Sequence, residues 1–315
     1  MEADPRIVPT LDSLIRLQHD ARGFSFLHRQ PVTSLLAGRR ASRIRGRGLA
    51  FEEIRAYRPG DDVRLIDWRA SARTGRVQTR VFTEERDRPT LLVVNLTSAT
   101  FFGSVHATKT AVIAQAAALA AWRGLQAGDR IGAVLFGDDG LEEHRPHRSR
   151  QSVMRILGAI ARRAQAVAAA PAQPIRIGAL NAALRAAEAM VSHDWLVLVV
   201  SDMQAADEES REIIGRMARH NDVVAIAVSD PLERKLPASP WRGVATDGAR
   251  LGVLDPARDG LGARVPDVHA QRIARLKESG LKLQTPVLPI GTEEQAAPQL
   301  RRMLGAVAAP RRSIR

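Results

Sequence analysis

The sequence predicts an α/β protein: a doubly wound, mostly parallel sheet, preceded by an N-terminal helical and β-rich accessory region. Three observations carry that expectation. Four short runs, LLVVNL (91–96), IGAVLF (131–136), WLVLVVS (195–201) and VVAIAVS (223–229), are rich in β-branched residues and free of charge, as strands covered on both faces are. Ala-rich stretches of helical length lie between them, at about 107–125, 150–166, 180–191 and 207–220. Strands alternating with helices are how a parallel sheet with helices on both sides is written in a chain.

Taken in order, the first forty residues read as one or two amphipathic helices. Leu11, Leu14, Ile15 and Leu17 fall at roughly helical spacing, and Phe24, Phe26 and Leu27 follow before Pro31. A basic, Gly-containing connector, RRASRIRGRG (39–48), comes next. Residues 49–88 turn β-like: Tyr57 leads into Pro59-Gly60, and Val77, Thr79, Val81 and Thr83 alternate along an expected strand. The expected organisation is therefore an accessory region at 1–88, the sheet domain at 89–306 and a basic tail at 307–315.

Of 315 residues, 45% are apolar and 26% charged, as in a globular protein, and the formal charge is +13. A basic balance invites a polyanion reading through phosphate neutralisation. Only four Lys are present (Lys109, Lys235, Lys277 and Lys282), so nearly all the positive charge is Arg, scattered through the helices as solvated faces and ion pairs. The two local Arg clusters, 39–48 and 311–315, contain no aromatic residue on which bases would stack. Specific nucleic-acid binding is not expected. The absence of Cys excludes disulfides, thiolate catalysis and Cys-ligated zinc. The N-terminal residues lack a basic stretch followed by an apolar one. The longest helical apolar run, 111–122, is too short to cross a hydrocarbon core of about 30 Å. A cytoplasmic protein without a membrane span is expected.

Residues 55–68, RAYRPGDDVRLIDW, match an R-x-Y-x-P-G-D-D-x-R-x-I-D-W core. Ala72-Arg73, Glu84-Glu85-Arg86, LQAGDRIGAVLF (125–136), the VVSDM segment around Asp202 and DPLE (230–233) follow in order. Through these segments, over roughly residues 10–300, the chain resembles the domain-of-unknown-function 58 family. The resemblance implies a von Willebrand factor A-like domain with an N-terminal β-rich insertion. It also implies a partnership with a MoxR-type AAA+ ATPase and with other von Willebrand A-domain proteins, in chaperone-like maturation of clients.

A cation-binding domain of that type holds a divalent ion with D-x-S-x-S at one strand tip, a loop Thr and an Asp at a further tip. The matching positions here are Asn95, Thr97 and Ala99, with Asp202 at the later tip, and IRIGALNAAL (175–184) supplies no loop hydroxyl. Magnesium favours carboxylates and sheds water reluctantly. The expectation is a degenerate site with no cofactor, Mg²⁺ binding being weak at best, and with Asn95 and Thr97 capping the turn by bonds to backbone groups.

In the signature core, Asp61, Asp62 and Asp67 sit among Arg55, Arg58, Arg64, Arg69 and Arg73. One reading is an ion-paired hairpin with Trp68 as packing anchor. The other is a partner surface made of Arg55, Arg58, Asp61, Asp62, Arg64, Asp67, Trp68 and Arg73, since Arg and Trp dominate interface hot spots. No G-x-S-x-G, Walker loop or H-E-x-x-H occurs. The His144-x-x-His147 pair has no neighbouring third ligand in the sequence. The expected function is a non-enzymatic adaptor or co-chaperone to the ATPase. The alternatives are polyanion binding through the Arg clusters and a metal-dependent ligand-binding domain.

Overall fold

A computed structural model of the protein describes residues 4–22, 24–26, 49–58, 63–84, 88–170, 173–236, 242–246, 251–255 and 261–305. The chain forms two compact units, Arg39–Asp87 and the remainder. α1 (Leu11–Arg16) opens the larger unit and is closed at its start by a Thr10–Ser13 capping box. The smaller unit pairs β1 (Leu49–Ala56) antiparallel with β2 (Gln78–Glu84) and carries a 3₁₀ turn (Val63–Leu65) and α2 (Trp68–Thr74) between them. A helix in this β-like stretch was not expected. Asp67 nucleates it by accepting from the backbone of Arg69 and Ala70, and Gly75 ends it at φ 68°. Seven residues are too few to show a helical period.

The larger unit continues with β3 (Thr90–Asn95), α3 (Lys109–Ala127), β4 (Ile131–Gly137), β5 (Gly140–His147), α4 (Arg150–Ala169), α5 (Ile177–Met190), β6 (Leu196–Ser201), α6 (Glu208–Ala218) and β7 (Asp222–Ser229). After them come α7 (Pro231–Arg234), β8 (Gly243–Thr246), β9 (Leu251–Leu254), α8 (Leu261–Lys282), β10 (Val287–Gly291) and α9 (Ala296–Leu304). β8 and β9 form a small antiparallel pair. The main sheet runs β10-β7-β6-β3-β4-β5, parallel except for β5. The mostly parallel α/β sheet expected from the sequence is present, and its four central strands are the four charge-free runs.

Both faces are covered. Leu92, Val94, Leu135, Leu198 and Ile226 face α1, α3, α4 and α9, whereas Leu91, Val93, Phe136, Val199 and Ala225 face α5 and α6. The edges look different for a physical reason. β5 alternates between half-buried and exposed residues and contains Pro146, and β10 contains Pro289. Charge and proline on an edge strand discourage pairing with another chain. The alternation on β5 also puts His144 and His147 on opposite faces.

Two expectations require correction. The boundary at residue 88 does not hold for the start of the chain. Leu14, Ala21, Phe24 and Phe26 are buried in the sheet's own core, and the indole nitrogen of Trp122 on α3 donates to the Leu14 carbonyl at 3.0 Å. The N-terminal segment thus completes the sheet unit. Trp68 does not pack into the core of its own unit, being 70% exposed at the first turn of α2. The basic stretches 39–48 and 307–315 lie outside the described residues.

Candidate functional site

In a parallel sheet all carboxyl ends lie along one edge, and ligands collect where the chain reverses its direction of travel across the sheet. Here the reversal falls between β3 and β6, because β4 and β5 lie on one side of β3 and β6, β7 and β10 on the other. Asn95 ends β3, and Asp202 follows β6 directly. The two tip residues singled out in the sequence do meet.

They meet through hydrogen bonds. The Asn95 side-chain oxygen accepts from the Thr97 backbone N–H at 3.1 Å and from the Thr97 hydroxyl at 2.9 Å. Its amide nitrogen then faces the other way, donating to Ser201 Oγ at 3.0 Å and Asp202 Oδ1 at 3.3 Å. Asn95 caps the turn as expected, whereas the Thr97 hydroxyl bonds to Asn95 and not to backbone. Beside them Ser98 donates its N–H to Asp138 at 2.8 Å, and the Thr100 and Thr110 hydroxyls are 2.8 Å apart.

The remaining oxygen of Asp202 receives a residue that the sequence reading passed over. Lys109, the first residue of α3, is buried and places its ammonium 3.0 Å from Asp202 Oδ2 and 3.0 Å from Glu233 Oε1. Glu233, on the short α7, is also held by Arg272 of α8, with His269 Nδ1 3.6 Å away. Burial works against the Lys109 charge, but the two carboxylates outweigh it and leave the ammonium above its ordinary pKa of 10.5. Glu233 is pushed up by burial and pulled down further by Lys109 and Arg272, for a net position below 4.5.

A third carboxylate anchors the edge without a cation. Asp230, fully buried, accepts from the Ser104 N–H (2.9 Å), the Ser104 hydroxyl (2.5 Å), the Leu232 N–H (2.9 Å) and the Thr292 hydroxyl (2.5 Å). It thereby ties the loop after β3 to the ends of β7 and β10. Phe102 and Val105, 43% and 72% exposed, project from that loop.

These residues do not fit the divalent ion that the family resemblance implies. A donor nitrogen of Asn95 faces Asp202, the Thr97 hydroxyl is spent on Asn95, Ala99 has no donor atom, and an ammonium sits against Asp202. Among the described residues no group of three His, Asp or Glu stands ready for a metal.

The signature residues lie in the smaller unit. Asp67 caps α2 and pairs with Arg80 on β2 at 2.9 Å. Arg55 lies on β1, Arg58 just beyond it and Arg64 in the 3₁₀ turn, while Trp68 and Arg73 are exposed on α2. Asp61 and Asp62, with the Pro59-Gly60 turn, fall outside the described residues.

Lys109 had a sequence signal. It is one of only four Lys in an Arg-rich chain, and it stands at the head of a helix whose next charge is Arg123. A cation at that end opposes the helix dipole, so its reason lies elsewhere. Glu233 closes the DPLE segment already noted in the sequence, whereas Arg272 carries no comparable mark.

Fold and site together define a doubly wound α/β protein whose strand-tip carboxylates are held by an internal lysine and by hydroxyl and amide donors. The chain belongs to the family described as Protein of unknown function DUF58, whose model matches residues 53–247. It is 30% identical over 252 residues to the uncharacterized proteins Rv1480 of Mycobacterium tuberculosis and Mb1516 of Mycobacterium bovis, covering 78% of this chain and 77% of theirs. Among solved structures it is similar to the conserved hypothetical protein BatB of Bacteroides thetaiotaomicron, with a TM-score of 0.41 and 11% identity, covering 69% of this chain and 98% of that one. An aerotolerance-related membrane protein of Bacteroides fragilis aligns at a TM-score of 0.43 and 12% identity, with the same shares covered. Among the described residues no helix is long and apolar enough to cross a membrane.

Proposed function

We propose that this protein is a non-enzymatic interaction partner, an adaptor or co-chaperone for a MoxR-type AAA+ ATPase, acting in the cytoplasm through a von Willebrand factor A-like scaffold. One observation carries the reading. Trp68, the last residue of the signature core, is 70% exposed on α2 beside the exposed Arg69 and Arg73. A large apolar ring kept in water next to guanidinium groups has the composition of an interface hot spot and serves no core. The strand tips support the non-enzymatic part, because the carboxylates Asp202, Glu233 and Asp230 are consumed by Lys109, Arg272 and hydroxyl or amide donors.

The test is association with the purified ATPase at moderate salt, read by pull-down and by its hydrolysis rate. Trp68→Ala should weaken the association about tenfold or more, as hot-spot residues do, and should leave the melting temperature unchanged because the ring is exposed. Undiminished binding by Trp68→Ala and Arg73→Ala together would remove this surface from the account. Binding that instead falls steeply with the logarithm of salt concentration would favour the polyanion reading.

A further inference from the structure

Along β7 the side chains alternate between the two faces of the sheet. Val224, Ile226 and Val228 belong to the core under α3, whereas Val223, Ala225 and Ala227 belong to the core under α5 and α6. The second face is therefore short of bulk at positions 225 and 227. α6 and α8 come together at one place: Leu283, just past α8, lies against Gly215 of α6, where an added Cβ would stand 3.0 Å from Leu283 Cδ2. Between the two helices lies a cavity of about 410 Å³, within the range of roughly 300–1,000 Å³ usual for small-molecule sites. Val199, Ala225 and Val287, from three neighbouring strands, line it from the sheet, and Ile214 and Leu276 line it from the helices. Its lining contains no aromatic residue, so a nucleobase or other flat ring would find no stacking partner there.

The rim is charged, and its charges are unequally satisfied. Asp207 accepts from the Ser210 N–H at 2.9 Å and the Asn181 amide at 3.0 Å, Glu208 pairs with Arg211, and Glu278 pairs with Lys282 at 2.8 Å. The acidic side chains thus have their donors. The basic ones lack acceptors. Arg211 Nε is buried with none, and the exposed Arg275 has no hydrogen-bond or ion-pair partner among the described residues. What this rim lacks is an acceptor with negative charge, the kind of group that a guanidinium holds best.

We propose that the groove between α6 and α8 binds a single aliphatic chain ending in a carboxylate, a medium-chain fatty acid being the type, with its methylenes over Val199, Ala225 and Val287 and its carboxylate at Arg211 and Arg275. An apolar floor without rings suits methylenes, and two unmatched guanidinium donors suit the head. Met203 also lines the groove, in a left-handed backbone conformation (φ 56°) that Gly adopts at less cost. It follows Asp202 directly, so the groove begins where the closed strand tip ends. The proposal goes beyond the adaptor reading and does not depend on it.

The experiment titrates the full chain with octanoate, decanoate and dodecanoate, each below its micelle-forming concentration, by calorimetry. One site per chain is expected, with affinity rising by up to about fourfold for each added methylene. Decanol, which has the chain without the charge, should bind at least about tenfold more weakly than decanoate. Arg211→Ala combined with Arg275→Ala, both on the rim, should erase that preference. Ala225→Leu fills the floor and should abolish binding in a chain that still melts cooperatively; if that variant does not fold, the arginine pair and the acid–alcohol comparison decide the matter. Three results would overturn the proposal: no saturable binding of any of the three acids, a preference for acid over alcohol that survives loss of both arginines, or a folded Ala225→Leu chain that binds as tightly as the wild type. None of these outcomes bears on the Trp68 association assay.

Discussion

Asp230 shows how a buried charge can be held by dipoles alone. Its four donors come from residues 104, 232 and 292. Asp230→Ala would leave two backbone N–H groups and two hydroxyls without their acceptor. At about 1–3 kcal/mol for each stranded buried group, with the hydroxyls free to turn elsewhere, we expect a loss of about 3 kcal/mol, read as the shift in urea midpoint. Asp230→Asn should cost less, because the hydroxyls can reverse, but one backbone N–H would still face the new amide. A pH dependence belongs to the same scale. Burial raises the pKa of both Asp230 and Glu233, and is outweighed by Ser104 and Thr292 at the first and by Lys109 and Arg272 at the second. Both folded values therefore lie below the ordinary 3.8 and 4.5. A depressed folded pKa means that the unfolded chain binds protons first. The stabilisation is complete at neutral pH and is lost as pH falls from about 4.5 through the folded values. Glu233→Gln should flatten that acid slope in urea titrations at stepped pH; an unchanged slope would show that Glu233 contributes nothing to it.

At the scale of elements, α3 is the helix on which the sheet is built. Fourteen of its nineteen residues are buried, and Gly124 lies where it crosses β4. A Cβ at position 124 would stand 2.4 Å from Ile131 Cδ1. Helix propensity favours Ala over Gly by about 1 kcal/mol, while overpacking costs about 1–3 kcal/mol. The second effect wins here, because Ile131 is itself fully buried. Gly124→Ala should destabilise by about 1 kcal/mol in chemical denaturation, and Ile131→Val in the same chain should relieve part of the loss. The elements legible in the sequence are those buried on both faces, since continuous β-branched runs and Ala-rich helices can be read locally. β5 and β10 were missed because edge strands carry charge and proline, and α2 because its seven residues depend on one cap.

For the whole molecule, the N-terminal segment is the piece whose place was misread. An amphipathic helix before a basic connector looks like a separate arm, but its apolar side is the outer layer of the sheet's core. Arg301 on α9 also donates to the Asp20 carbonyl at 2.6 Å, so the two ends of the described chain brace one another. Burying Leu14, Phe24 and Phe26 contributes about 1.5–3 kcal/mol for each side chain. Removal of residues 1–26 should therefore lower the melting temperature by many degrees and open Trp122 to acrylamide quenching. An unchanged melting temperature would restore the separate-arm reading.

From the sequence by itself came the mostly parallel sheet, its four central strands, the family and the meeting of Asn95 with Asp202 at one edge, because strand–helix alternation and a fourteen-residue signature are local patterns. The tertiary structure alone decided that the edge is closed by Lys109, since its partners lie 93 and 124 residues further along the chain. It also decided that Trp68 stands in water, and that the first residues belong to the core. An ion pair's identity depends on which strand tips the fold brings within about 3 Å of one another, and no local period encodes that distance.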